Sequence, residues 1–158
     1  MPARQPLVII DGQLQELPAS DTLNAPVSAV DVITKTNGGA SAITAGMPAY
    51  VKSDGTVDKA SAAAGGTKAV IGLVRDASIA AAATGNIQTD GTLTSADWTS
   101  VAGTATLTAG ALYYLSATAG QITATAPSAS GSYVVKVGIA TATDTLEIDT
   151  ERGGVLLA

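Results

Sequence analysis

The residues that could do chemistry in this chain are carboxylates, because histidine and cysteine are both absent. Two acidic groups stand out, namely Asp54 with Asp58, and Asp144 with Glu147 and Asp149. Two carboxylates can act as a general acid and base when a neighbour shifts one pKa, and several converging oxygens can hold calcium. Neither condition is visible around these residues. We therefore interpret Asp54 as a turn residue and the others on strands as solvated positions.

Other catalytic arrangements are excluded by the missing residue types. Without histidine or cysteine the chain cannot form a Ser–His or Cys–His nucleophile, and it lacks the commonest metal ligands. No glycine-rich phosphate loop with a lysine is present either. We expect a protein that is not an enzyme, with no catalytic residues, no cofactor and no metal site.

Composition narrows the class of protein further. The chain has 158 residues, a net charge of −5 and only 13% charged residues. Its eight basic residues are scattered, which argues against nucleic-acid binding. No apolar run approaches the roughly 20 residues that span a bilayer, and MPARQPLVIIDGQ at the N-terminus lacks the long apolar centre and the cleavage site of a signal peptide. We expect a soluble protein made in the cytoplasm, with part of its low-charge surface covered by other copies or by a partner.

The order of residues predicts strands although alanine is abundant. Glycine or proline interrupts the chain repeatedly, and the segments between them alternate apolar and polar residues with threonine, valine and isoleucine enriched. Branched side chains of this kind suit a pleated sheet. Asn-Gly and Asp-Gly pairs favour tight hairpin turns. Four such pairs, which predict an antiparallel all-β protein, begin at Asp11, Asn37, Asp54 and Asp90.

Two segments of the chain resemble each other. Residues 43–60 read ITAGMPAYVKSDGTVDKA, and residues 107–126 read LTAGALYYLSATAGQITATA. Residues 65–74 and 130–140 continue the match, with Gly72 aligned on Gly138. Units of roughly 32 residues thus recur about 65 residues apart, which is typical of an internal duplication. We predict a small antiparallel sandwich or barrel built from units near 43–74 and 107–140.

The period of two along a strand predicts which tyrosines are buried. Tyr113 and Tyr114 are adjacent, so they point to opposite faces. Because Tyr114 aligns with Tyr50, we place both in the core, and Tyr113 then faces solvent or a partner. Trp98 is the only tryptophan. We interpret it as a core side chain between the two repeats, with an interface anchor as the alternative.

The first residues differ in composition from the rest. Residues 1–26 contain prolines and little periodicity, which predicts an extended N-terminal arm before a β body at 27–150 and a short tail at 151–158. The arm holds one run of consecutive apolar residues, and four in a row suggest burial on both faces. We predict that this run binds a neighbouring subunit or partner, although the body's own sheet could also accept it. The run comprises Leu7, Val8, Ile9 and Ile10.

The sequence resembles a module of tailed-bacteriophage virion proteins. Similar features are the Asp-Trp and Tyr-Tyr-Leu-Ser elements within DWTSVAGTATLTAGALYYLSATAGQITATAPS at 97–128. Residues 43–60 are similar to small capsid-associated proteins, and RQPLVIIDGQLQELPASDTL at 4–23 resembles the leader before such modules. The resemblance covers nearly the whole chain but does not separate head from tail.

The resemblance implies a structural role without catalysis. It suggests a capsid decoration protein located in the virion, bound to the major capsid protein and acting as a homo-oligomer, with a trimer favoured. A head or tail fibre component is the first alternative. A carbohydrate-binding or hydrolytic domain is the second, although the five aromatic residues offer few sugar platforms.

Overall fold

A computed structural model describes residues 30–63, 67–150 and 154–157, together with the backbone of two strands at 7–10 and 13–16. Strands make up 41% and helix 3% of the structure, and the sheets are antiparallel and sandwich-like. The all-β prediction is therefore confirmed. The N-terminal strands are β1 (Leu7–Ile10) and β2 (Gln13–Glu16).

The first unit is an antiparallel sheet of five strands with a short two-stranded ribbon beside it. Along the sheet the strands follow the order β3-β9-β7-β5-β6, and β4 pairs with β8 in the ribbon. Their bounds are β3 (Val32–Thr36), β4 (Ile43–Thr44), β5 (Pro48–Val51), β6 (Val57–Lys59), β7 (Val70–Val74), β8 (Ser78–Ile79) and β9 (Thr84–Gln88).

The second unit repeats this plan. Its five-stranded sheet has the order β10-β15-β14-β11-β12, while β13 pairs with β16. A single helical turn, α1 (Thr99–Ala102), lies between the first two strands of the unit. The strands are β10 (Gly91–Thr94), β11 (Leu112–Leu115), β12 (Ile122–Thr123), β13 (Tyr133–Val134), β14 (Lys136–Ala140), β15 (Thr145–Ile148) and β16 (Val155–Leu156).

The two large sheets have the same topology, strand for strand. Replacing β3, β5, β6, β7 and β9 by β10, β11, β12, β14 and β15 converts one strand order into the other. The registers also agree, since Ala49 lies opposite Gly72 just as Tyr113 lies opposite Gly138. Repeats recognised in the sequence thus correspond to structural repeats.

Each sheet contains a β-bulge at the equivalent place. The pairing shifts by one residue after Ala49 in the first unit and after Tyr113 in the second. Gly72 and Gly138 stand beside these bulges, where a Cβ would lie 2.2 Å from the Gln88 carbonyl oxygen and 2.1 Å from that of Glu147, respectively. Glycine is required at both positions because a neighbouring backbone occupies the space of a side chain.

Apolar side chains form two clusters. The smaller cluster belongs to the first unit, where the β4–β8 ribbon contributes Ile43 and Ile79. The larger cluster contains most of the second unit's core and joins the two units, because Ala60, Ala62 and Leu73 of the first unit belong to it. The two units therefore share the larger cluster, while the smaller cluster is formed by the first unit alone.

Trp98 lies in the larger cluster with no exposed surface. Its Nε1 donates a hydrogen bond to the Asp144 carbonyl at 3.0 Å. A Cβ on Gly46 of the first unit would approach the indole ring to 3.0 Å, so the ring packs directly on that backbone. The interpretation of Trp98 as a core side chain between the repeats agrees with this packing.

The predicted exposure of Tyr113 was wrong. Tyr113 is 4% exposed, and its hydroxyl accepts a hydrogen bond from the Thr108 backbone amide at 3.0 Å. Tyr50 and Tyr114 are half-buried, and Tyr50 packs against the larger cluster. Aligning these two was correct, since both precede the hairpin at the same register. The error was to assume that the aligned aromatic marks the core, because the inward position holds Ala49 in one unit and Tyr113 in the other.

Two of the four predicted hairpins are present. β1 pairs with β2 across residues 11–12, and β5 pairs with β6 across the turn at Asp54. The other two signals do not close hairpins, since β3 pairs with β9 and the chain at Asp90 crosses from one sheet to the other. Asn37 is fully buried instead, and its Nδ2 donates to the carbonyls of Ser41 and Ile79 at 3.0 and 2.9 Å.

Candidate functional site

Asp54, which was singled out in the sequence, and Asp97 both have structural partners. Asp54 Oδ1 accepts hydrogen bonds from the amide and the hydroxyl of Thr56 at 2.9 and 2.6 Å. Asp97 Oδ1 accepts the same pair of bonds from Thr99 at 2.8 and 2.6 Å. In each case these bonds, the hydroxyl bond first, lower the pKa of the carboxyl below its ordinary value of 3.8. Both carboxylates stabilise turns.

Three further carboxylates, those of Asp58, Asp144 and Asp149, are engaged along strands and turns. Asp149 forms an ion pair with Lys136, and Asp58 Oδ1 accepts a hydrogen bond from the Lys59 amide at 2.7 Å. Asp144 Oδ1 accepts a bond from the Thr145 hydroxyl at 2.9 Å. Within the described residues, no group of three or more acidic side chains is arranged to hold a metal ion. The geometry therefore directs attention to binding surfaces.

The apolar run of the N-terminal arm forms a strand of a separate hairpin. Leu7, Val8, Ile9 and Ile10 pair in register with residues 13–16, so that Leu7 lies opposite Glu16 and Ile10 opposite Gln13. Among the described strands, β1 and β2 pair only with each other. The structure thus brings these four predicted binding residues together on one strand, while it buries the fifth, Tyr113, in the core.

An apolar groove of about 480 Å³ opens on the first unit. Ile33 and Ile71 line it and also pack on the smaller cluster, so the groove lies at the margin of that core. Val51 and Ala69 are exposed within it, and Val51 is 40% accessible. Sequence analysis did not predict this groove. The repeat alignment contained a signal, since Val51 and Ala69 align with the larger Leu115 and Val135 of the second unit.

A second groove, of about 430 Å³, has a different character. It is lined by Asp90, Glu147 and Asp149 together with threonine and isoleucine residues, and it shares Thr89 with the apolar groove. Because Asp149 is already paired with Lys136, the acidic lining is partly neutralised. The groove has a polar rim that is suited to a wet contact rather than a tight pocket.

The C-terminal strand exposes apolar surface as well. Val155 and Leu156 of β16 are 65% and 57% accessible, although the strand is held against β13 by backbone pairing. The Lys68 ammonium lies 3.5 Å from the centroid of the Tyr133 ring, which belongs to β13. This cation–π contact ties the C-terminal ribbon to the first unit.

No family model matches this chain, and no curated protein matches it either. None of the helical residues that the structure describes form a segment with the length and apolar character of a membrane span. The arrangement of surfaces therefore carries the functional argument.

Proposed function

We propose that this protein is a non-enzymatic capsid decoration protein of a tailed bacteriophage, which acts as a homotrimer in the virion and binds the major capsid protein. The sequence resemblance to virion modules supports this role. So does the engagement of the carboxylates of Asp54, Asp97 and Asp149 in turns and an ion pair.

The observation that carries the proposal is the separate hairpin of the N-terminal arm. The strand of four consecutive apolar residues pairs only with β2 among the described strands, and neither five-stranded sheet of the body includes it. A two-stranded hairpin of this size is marginally stable on its own in water. Docking on the capsid would bury its apolar residues and could add the hairpin to a sheet edge of the capsid protein.

Truncation of the arm tests the capsid contact. A chain lacking residues 1–20 should keep the melting behaviour of the intact protein, because the body core lies within residues 43–148. It should no longer co-sediment with capsids that lack the decoration protein. Collapse of the truncated body, or full retention of capsid binding, would each contradict the proposed role of the arm.

A matched pair of variants separates the apolar strand from the hairpin as a whole. Val8→Lys with Ile10→Lys adds two charges to β1, whereas Gln13→Lys with Gln15→Lys adds the same two charges to β2. The first variant should lose capsid binding and the second should retain most of it. Equal loss would indicate that charge, rather than the apolar run, governs binding.

Copy number distinguishes decoration from the fibre alternative. A decoration protein occupies symmetry-related positions over the whole shell, so purified virions should contain it in a number comparable with that of the major capsid protein. Quantitative gel densitometry of virions measures this ratio. A handful of copies per particle would favour a fibre or attachment component.

A further inference from the structure

The two units differ at one set of equivalent positions. Val51, Ala69 and Ile71 line the open apolar groove of the first unit. By the shared register their counterparts in the second unit are Leu115, Val135 and Val137, all with no exposed surface. The same face of the same sheet is thus open in one unit and covered in the other.

The cover on the second unit is a segment of the first. Ala60 and Ala62, which follow β6, belong to the same cluster as Leu115 and Val135. The Ala62 amide donates to the Ser116 carbonyl at 2.9 Å, and the Ala62 carbonyl accepts from the Tyr133 amide at 3.0 Å. Residues 60–62 therefore lie between the end of β11 and β13, where all three are buried.

The corresponding segment of the second unit is more exposed. Because Val57 and Ile122 occupy the same register, residues 60–62 correspond to 125–127. Thr125 is exposed, and Ala126 and Pro127 are only half-buried. The first unit therefore presents an open groove. The second unit presents residues 125–127, a partly exposed segment equivalent to the one that covers the matching face within the chain.

We infer that residues 125–127 of one copy dock in the apolar groove of a second copy, so that copies join head to tail in a closed ring. The contact between units within the chain provides the template, and the new contact continues it from one chain to the next. Head-to-tail contacts of this kind close into rings when the rotation allows. The inference rests on the proposed homo-oligomer and names the surfaces that form it.

Local chemistry fits this contact. Pro127 takes the place of Ala62 and lacks the amide that Ala62 donates to Ser116. The matching acceptor in the first unit, the Lys52 carbonyl, already accepts the Gly55 amide at 3.0 Å. The docking segment therefore does not need to donate an amide to the Lys52 carbonyl. Val51 and Ala69 are also smaller than Leu115 and Val135, which leaves room for the larger proline ring.

Engineered disulfides test the contact directly, because the natural chain contains no cysteine. In the full-length protein, Val51→Cys combined with Thr125→Cys should give a covalent ladder of three or more chains on a non-reducing gel after mild oxidation. Each single variant should give no species larger than a dimer. A double variant that yields only monomers, whether its thiols remain free or pair within one chain, would overturn the inference.

A charge placed in the groove provides the second test. Val51→Glu should convert the oligomer to monomers in sedimentation velocity experiments while the far-ultraviolet spectrum stays unchanged. The control is Leu112→Glu, which adds the same charge at a residue of similar exposure, 42%, outside the groove. The head-to-tail contact would be refuted if the Val51→Glu variant remained oligomeric. It would also be refuted if the wild-type protein were monomeric because its own N-terminal arm covers the groove.

Capsid binding is measured on the same samples. If the double-cysteine variant forms no cross-links between chains but still co-sediments with capsids, the ring is refuted and the decoration role is not. A complete ladder from a protein that does not bind capsids would leave the ring standing and refute the decoration role.

Discussion

The Tyr113 side chain is almost fully buried, and its hydroxyl accepts a hydrogen bond from the Thr108 backbone amide. Tyr113→Ala should cost about 3–5 kcal/mol of unfolding free energy, because it empties a large buried site. Tyr113→Phe should cost about 1 kcal/mol, since the Thr108 amide loses its acceptor. Chemical denaturation monitored by circular dichroism measures both values.

The neighbouring tyrosine is the control for this prediction. Tyr114 is half-buried on the opposite face of the same strand, so Tyr114→Ala should cost about 1 kcal/mol. A larger loss at Tyr114 than at Tyr113 would contradict the face assignment of the whole of β11.

Asp54 and Asp97 predict how stability depends on pH. Hydrogen bonds from Thr56 and Thr99 lower the pKa of each carboxyl in the folded state below the ordinary value of 3.8. A group with a lowered folded pKa contributes stability above its unfolded pKa, and this contribution disappears as pH falls through the folded pKa. Stability should therefore decline below about pH 4.

Substitutions at the donors isolate this contribution. Thr56→Val with Thr99→Val removes both hydroxyl donors while it preserves the side-chain shape, so the fall in melting temperature between pH 5 and pH 2 should become shallower. An unchanged slope in thermal unfolding across this range would show that other carboxylates control the acid response.

At the scale of the strands, the bulge glycines predict a second set of stabilities. Gly138→Ala places a Cβ against the Glu147 carbonyl oxygen, which can move only if the sheet separates. We expect a loss above about 3 kcal/mol or a failure to fold. Gly103→Ala is the control, since its site is open and only its φ of +74° is unfavourable, which costs about 1–2 kcal/mol. Comparable losses for the two variants would contradict the close approach.

Strand composition, two hairpins and the duplication could be predicted because they depend on local or repeated patterns. The Asp54 turn forms within a few residues, and the signal is contained in those residues. Asn37-Gly38 has the same local signal, but its strand pairs with β9, about 50 residues away in the chain. Pairing over such a separation is set by the assembled sheet, which no dipeptide encodes.

The candidate binding surfaces were predicted only in part for a similar reason. The run Leu7–Ile10 is visible because four apolar residues are adjacent in sequence. The apolar groove is formed by Ile33, Val51 and Ile71, which come from three strands. Only the order of those strands in the sheet places them together.

At the scale of the whole molecule, the shared core predicts one cooperative unfolding transition. Leu73 of the first unit and Trp98 of the second belong to the same cluster, so the larger core is complete only when both units are folded. Trp98 fluorescence and far-ultraviolet circular dichroism should give coincident denaturation curves. Separate transitions would show that the two units fold independently.

A fragment tests the same property from the other direction. Residues 30–89 alone would expose Ala60, Ala62 and Leu73, which the second unit buries in the intact chain. This fragment should remain largely unfolded by circular dichroism. A stable β spectrum from the fragment would contradict the dependence of the first unit on the second.

The matching topology of the two sheets has a consequence for how the protein can change by mutation. If each unit were a separate, identical chain, every substitution would appear in all copies. A larger side chain would then have to fit in the core of every unit. In this chain the two copies of each position vary separately. The inward position of the bulge strand is alanine in one unit and tyrosine in the other, and the groove face is open on one and filled on the other. Fusion of the repeats therefore lets one half specialise in closing the fold while the other keeps a surface free to meet a neighbour.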